Sequence, residues 1–485
     1  MPLPTGGLVL PEPFAWAQAK ARHVLIDPST ALAWATLPIG DKGDVDLAVT
    51  RARAFADQEW ERPNKAKRLD ILGRLIRAID HHREEFAQRI SKEMGAPIDF
   101  ARQKQVGTAL DHLEAYRQAA EEQDDQTPDP SHPEHRVRCE PLGVAALITP
   151  WNWPLNQVVL KVGAALVAGC SMVLKPSEYA STSALLFADC MHAAGADVGQ
   201  FQLLLGEGSV GQMLCAHPLV DVISFTGSTQ TGASIASVAA PQFKRLNLEL
   251  GGKSANILFA DCALPLAVEQ GLAHAFRNTG QSCNAASRML IDQDIYEKTR
   301  LLSARMADAF AVRSPAEEGD HLGALVNERQ YRKVQHLIQQ AIDQGARVIA
   351  GGVGRPDGMR DGYFVRPTVL ADVTEDMTIF HEEVFGPVLT LTPFEGEAEA
   401  VRLANATRYG LAGYVQTEDG ARADRMARQL QVGMVQVNGS SRAAGAPFGG
   451  RRASGQGREA GLWGIRAFQD VKSVSGVARE DDATA

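Results

Sequence analysis

A cysteine in a polar loop is the first residue of this chain that could do covalent chemistry. Cys283 lies in FRNTGQSC, where a helix read from GLAHAFRN breaks at Gly280, whereas most of the other five cysteines sit in apolar stretches such as LVAGC and LFADC. The thiolate is the reactive form, so polar neighbours suit a nucleophile; an inert core thiol is the alternative. Glu249 is the second candidate. In LNLEL, Leu246, Leu248 and Leu250 point to one side of a strand and Asn247 and Glu249 to the other. Partial burial there would raise the carboxyl pKa and suit a general base, while a solvated edge strand is the plainer reading. Asn152, in Trp151-Asn152-Trp153-Pro154 after the strand VAALI, could donate its amide to a developing oxyanion or hold a turn before proline.

Phosphate chemistry is suggested by two glycine-rich turns. Gly206 to Gly211 is a literal GxGxxG after the apolar run FQLLL, but the acidic residue expected about twenty positions on is missing. A glycine turn explains it better. In FTGSTQTG the strand VDVISF runs into Gly227-Ser228-Thr229 and a helix of small residues follows. Helix-start N–H groups bind pyrophosphate, and an N-cap by Ser228 or Thr229 explains the same residues. Lys175-Pro176-Ser177-Glu178 closes the strand SMVLK, placing a lysine and a carboxylate where ligands of open α/β sheets bind. They could hold ribose hydroxyls or form a surface ion pair.

The elements that position these residues alternate in a regular way. After a loop-rich start, helical periodicity runs from Asp44 to about Gly95, with Leu69, Leu72, Leu75, Ile76 and Ile79 on one predicted buried face. A further helix reaches about Glu122, and EEQDDQTPDPSHPEH reads as an exposed connection. The paired His81 and His82 read as a solvated helix face. Strands and helices then alternate to LNLEL and resume after Gly251-Gly252, which predicts two successive α/β units, the first a doubly wound parallel sheet.

Composition excludes several classes. The 485 residues exceed what one core usually supports, and the formal charge of −9 disfavours nucleic acid as a partner. No run of eighteen apolar residues predicts a membrane span, and MPLPTGGLVL has no signal-peptide core. Six cysteines without framework spacing read as reduced thiols of a cytoplasmic protein. Twelve histidines without HExxH-like spacing predict no metal site.

Taken together, TPWNWP, KPSE, FTGST, LELGGK, NTGQSCNA, HEEVFGPV, APFGG and SGQGRE make the chain resemble the aldehyde dehydrogenase superfamily from about Ile26 to Val474, with the motifs in that family's order. The resemblance implies a Rossmann-like cofactor domain (1–122 and 142–251), a catalytic α/β domain (252–453) and a small β oligomerisation element (123–141 and 469–478). It implies Cys283 as nucleophile, Glu249 as the base for hydrolytic water, and Asn152 with the Cys283 N–H as oxyanion hole. Lys161 and Glu459 match a lysine and an acid near the proton path. On the cofactor side it implies Trp151, Lys175, Glu178, Phe225, Gly227, Ser228, Leu250, Glu383 and Phe385. NAD+ is expected over NADP+, because Glu178 can accept from a 2′-OH but repels a 2′-phosphate. The partners implied are a small aldehyde and copies of the chain in a homodimer or homotetramer.

Trp153, Arg277, Arg442 and Phe448 fall where the resemblance implies the aldehyde pocket. Arg277 resembles an arginine that binds the carboxylate of succinic semialdehyde in some members, although Leu160 stands where those members place a second one. Two cations near one mouth would suit an aldehyde with a remote carboxylate; solvated surface arginines are the alternative. Transfer of the acyl group to coenzyme A, or a non-catalytic role on the same scaffold, are the competing functions. The presence of Glu249, Cys283 and Asn152 argues against both.

Overall fold

The computed structural model describes residues 21–61, 64–123, 126–129, 131–132 and 134–476. The initial MPLPTGGLVL lies outside them, as do 1–20 and 62–63 of the expected cofactor domain and 124–125, 130, 133 and 477–478 of the expected oligomerisation element. A six-stranded sheet runs in the order Gly455–Gln456, Arg245–Glu249, Val222–Thr226, Val144–Thr149, Ser171–Pro176, Phe201–Leu203. Its strands are parallel except for Gly455–Gln456, which pairs antiparallel along Arg245–Glu249 and sets Gly455 opposite Glu249. The second sheet has seven strands, in the order Arg347–Ala350, Thr368–Ala371, Val388–Phe394, Arg288–Asp292, Ala255–Leu258, Ala412–Gln416, Met434–Val437. The passage between sheets falls at Gly251-Gly252, between the strands ending at Glu249 and starting at Ala255.

The helices form where periodicity and caps ask for them. Lys65–His81 starts on Asn64, whose side chain accepts from the Lys67 N–H, and buries Arg68, Ile71, Leu72, Leu75 and Ile79. Ile71 thus lies deeper than Leu69 and Ile76, which are only partly covered, so the buried stripe is rotated from the predicted one. His82 joins this helix to Arg83–Met94, with its ring 5.0 Å from that of His81. Pro154–Ala168 opens on its proline, ends on left-handed Gly169, and is buried along its whole length. A helix covered on all sides belongs between layers, and this one connects Val144–Thr149 to Ser171–Pro176.

One expectation needs correcting. The polar stretch after Glu122 contains the strand Gln126–Pro128, at one edge of a three-stranded antiparallel sheet with His135–Pro141 and Gln469–Ser475. Its side chains need not be apolar, because the middle strand is itself half-covered. None of the described helices is long and apolar enough to cross a membrane.

Candidate active site

The predicted residues gather at the carboxyl ends of the parallel strands of the first sheet and at the start of the second. Asn152 follows Val144–Thr149 and is buried; its Nδ2 donates to the Gln281 carbonyl at 3.0 Å. The Asn152 carbonyl in turn accepts from Gln105 Nε2 at 3.1 Å and Asn278 Nδ2 at 2.8 Å. Asn278 and Thr279 carry left-handed backbone, at φ 56° and 57°. Such a pair is costly for the β-branched Thr279, and it is held by Gly323, whose N–H donates to Thr279 Oγ1 at 3.1 Å. Gln281 adds a bond from the Val326 N–H to its Oε1 at 3.0 Å. The loop that presents Cys283 is therefore rigid, and Gln105 and Asn278 are positioning residues that the sequence reading missed. Asn278 had a signal, since it lies in the cysteine motif; Gln105, in a distant helical turn, had none.

Glycines bring the backbones together. A Cβ on Gly252 would stand 2.3 Å from the Cys283 carbonyl oxygen, and one on Gly280 would stand 2.0 Å from that of Gly386. The second approach brings the HEEVFGPV segment against the cysteine loop. There Glu383 Oε1 accepts from the Gly252 N–H at 2.9 Å, and Phe385 meets Trp151 edge to face at 5.5 Å. Close approach elsewhere is similar: a Cβ on Gly227 would meet the Phe225 ring at 2.4 Å, and one on Gly232 would meet Leu250 at 2.6 Å. Ser228 caps helix Thr229–Ala239 by accepting from the Thr231 N–H at 3.2 Å. The GxGxxG stretch differs from the expected glycine turn: it leads from the loop after Phe201–Leu203 into helix Gly208–Ala216, with Val210 packed where a Gly206 Cβ would lie.

Glu249 is more deeply placed than the sequence suggested. It is 1% exposed, because Gly455–Gln456 closes the sheet edge beside it. Burial, and then the Glu459 carboxylate, raise its pKa above the usual carboxylate range. Lys161 and Glu459 form an ion pair at 2.5 Å with both side chains buried, and Lys161 Nζ also donates to Ser224 Oγ at 3.1 Å. The Cys283 thiol is half-buried, and its pKa is pushed up by burial and then by the Glu383 and Glu249 carboxylates. At rest it is therefore a thiol, its ionisation opposed by the buried Glu249 and the partly covered Glu383 carboxylates. Lys175 is buried with its pKa lowered by desolvation, near the half-covered Glu178.

Cys283 opens on a cleft of about 630 Å³ that Trp153, Arg277, Arg442 and Phe448 also line. Leu160 is not among them; it is buried in its helix, where its carbonyl accepts from Tyr116. Arg277 is exposed to the cleft, with its guanidinium 5.9 Å from the Phe100 ring centre and 5.6 Å from that of Trp153. Arg442 is committed to its own loop, donating to the carbonyls of Ala443 at 3.2 Å and Ala446 at 2.6 Å and stacking on Phe448 at 5.2 Å. So the two arginines are not equivalent. The cleft also holds two histidines that belong to no motif, His112 and His274, whose pKa values are lowered to about 4 by burial first and then by Arg442 and Arg277 respectively.

Comparison with known proteins decides the family. The sequence matches the aldehyde dehydrogenase family over residues 16–474. This chain is an aldehyde dehydrogenase family member. It is 44% identical over 465 residues to 3-succinoylsemialdehyde-pyridine dehydrogenase of a Pseudomonas species, covering 95% of this chain and 97% of that protein. Its fold is similar to an aldehyde dehydrogenase from Bartonella henselae, at 45% identity and a TM-score of 0.93 over 94% of this chain and 96% of that one. A mutant of aldehyde dehydrogenase C from Pseudomonas syringae, solved with NAD+ and octanal, gives 41% identity and a TM-score of 0.93, covering 95% and 94%. The expected α/β architecture and the aldehyde dehydrogenase family are thus established.

Proposed function

We propose that this enzyme oxidises an aldehyde to its carboxylate with NAD+ through a thioester on Cys283. The observation that supports the reading is that Cys283 lines the cleft, the Asn152 amide donates to the Gln281 carbonyl two residues before it, and the buried Glu249 carboxylate is near enough to raise the pKa of the thiol. The cofactor side fits a dinucleotide. A buried Lys175 near Glu178, the crossed rings of Trp151 and Phe385, and Glu383 anchored on the Gly252 N–H offer polar and aromatic contacts. Phe225, Gly227, Ser228 and Leu250 build the strand-to-helix turn beside them. Glu178 favours NAD+ over NADP+ by charge. When bound, NAD+ supplies the acceptor for the hydride.

The residues then divide the work. Cys283, once deprotonated, adds to the aldehyde carbon, and the Asn152 amide with the Cys283 N–H steadies the oxyanion. After hydride loss the acyl group stays on sulfur. Glu249, with its raised pKa, draws a proton from water, and the hydroxide formed releases the acid. The Lys161–Glu459 pair beside Glu249 offers a route by which that proton leaves. Glu249 also favours water over coenzyme A as acceptor.

Arg277 supports a substrate with a carboxylate at its far end. It faces the cleft, and no carboxylate among the described residues pairs with it. A semialdehyde is also part of the name of the Pseudomonas relative. The three-stranded sheet leaves Val471 66% exposed, which suits a homodimer or homotetramer built on that edge. Six free cysteines suit the reducing cytoplasm. The test is NADH formation from NAD+ and an aldehyde without coenzyme A, repeated with Cys283→Ala. Turnover by the wild type and none by the variant is expected; appreciable oxidation by Cys283→Ala refutes the thioester. Succinic semialdehyde should exceed butanal by about tenfold or more in kcat/KM, and Arg277→Leu should erase that margin.

A further inference from the structure

We propose that His274 is a specificity residue whose imidazole N–H donates to an uncharged hydrogen-bond acceptor, such as a ketone oxygen, on the tail of the aldehyde. The inference rests on the dehydrogenase reading above and adds a second polar contact to that of Arg277. His274 lies in the last turn of the helix Leu264–Phe276, three residues before Arg277, and lines the same cleft as Cys283. Two contacts fix its ring. The Ala286 N–H donates to Nδ1 at 3.2 Å, and the Tyr414 ring lies 4.4 Å away at a tilt of 53°.

With Nδ1 accepting, a neutral imidazole must carry its hydrogen on Nε2. Burial and the Arg277 guanidinium keep the ring neutral, at about 4, so it is an oriented dipole at physiological pH and not a cation. The Tyr414 hydroxyl cannot serve as a competing donor, because it donates to the Asn284 carbonyl at 2.8 Å. The remaining Nε2–H therefore faces the cleft as a donor of set direction. A carboxylate is better served by Arg277 alone, since a neutral N–H offers it no charge. An uncharged acceptor suits the imidazole.

The experiment compares 4-oxopentanal with pentanal, which differ by the one acceptor. The wild type should favour the oxo aldehyde by about three- to tenfold in kcat/KM, the worth of one neutral hydrogen bond. His274→Phe keeps an aromatic ring against Tyr414 and removes the donor, so the ratio should collapse to about one. His274→Gln, which restores a side-chain N–H, should recover part of it. A ratio unchanged in His274→Phe, or an equal fall on both aldehydes, would assign His274 to packing alone and overturn the inference. Turnover of both substrates without preference in the wild type overturns it too while sparing the dehydrogenase reading. No NADH from either aldehyde overturns both.

Discussion

Replacing Gly252 by alanine should separate positioning from cofactor affinity. The new Cβ would lie 2.3 Å from the Cys283 carbonyl oxygen and 3.3 Å from two Leu411 carbons. Ordinary contact with that oxygen needs about 3.3 Å, so roughly 1 Å must come from movement of one backbone or the other. The cysteine loop is knitted through Asn278, Gln281 and Gly323, so relief by a local side-chain swing is closed off. A displacement of about 1 Å at a nucleophile can cost on the order of a hundredfold in rate, which is about 2.7 kcal/mol of barrier. The assay is steady-state NADH production alongside NAD+ titration by fluorescence and a thermal melt. Gly252→Ala should lower kcat by about a hundredfold with NAD+ affinity changed far less. Gly251→Ala is the contrast: its Cβ would meet Glu383 Oε2 at 2.7 Å, the end of a side chain, so KM for NAD+ should rise and kcat should fall little. Gly420→Ala, with nothing within 4 Å, is the neutral control. If Gly252→Ala keeps more than about a third of kcat in a folded protein, the close approach does not position the cysteine.

Glu249→Gln should release a burst of about one NADH per site and then stall, because only hydrolysis needs the base; a rate without burst and without turnover would move Glu249 to an earlier step. The raised thiol pKa makes Cys283 protonated near neutrality, so its alkylation by iodoacetamide should rise about tenfold per pH unit from 7 to 9. Glu249→Gln, by removing one opposing carboxylate, should speed that alkylation at pH 7.5, and a plateau below pH 8 in the wild type would contradict the electrostatics. Lys161→Met strands the buried Glu459 carboxylate and should lower stability by about 3–5 kcal/mol in urea unfolding, whereas Lys161→Met with Glu459→Leu should recover most of it.

Local features were the legible ones. The strand-to-helix turn at Thr226–Ser228, the proline-opened helix after Trp153 and the periodic helix Lys65–His81 all rest on signals within a few residues. What the sequence reading missed depends on partners far along the chain. Glu249 was placed on a half-open edge because Gly455–Gln456, which covers it, follows some two hundred residues later. The two arginines looked alike as charges; only the fold shows Arg442 folded back on its own loop carbonyls and Arg277 left to the cleft. His112 and His274 carry no motif, and their neutrality arises from burial beside those same arginines.

The return of Gly455–Gln456 to the first sheet, and of Gln469–Ser475 to His135–Pro141, also orders events during synthesis. As the chain leaves the ribosome, the strand carrying Glu249 emerges long before its cover does. The second sheet, with strands between Ala255 and Val437, has time to form while the edge at Arg245–Glu249 is still bare. Both Glu249 and the edge strand become enclosed only when Gly455–Gln456 arrives. A nascent or truncated chain ending near residue 450 would therefore carry an open strand edge and a wet Glu249, prone to pairing with other chains and unable to complete turnover.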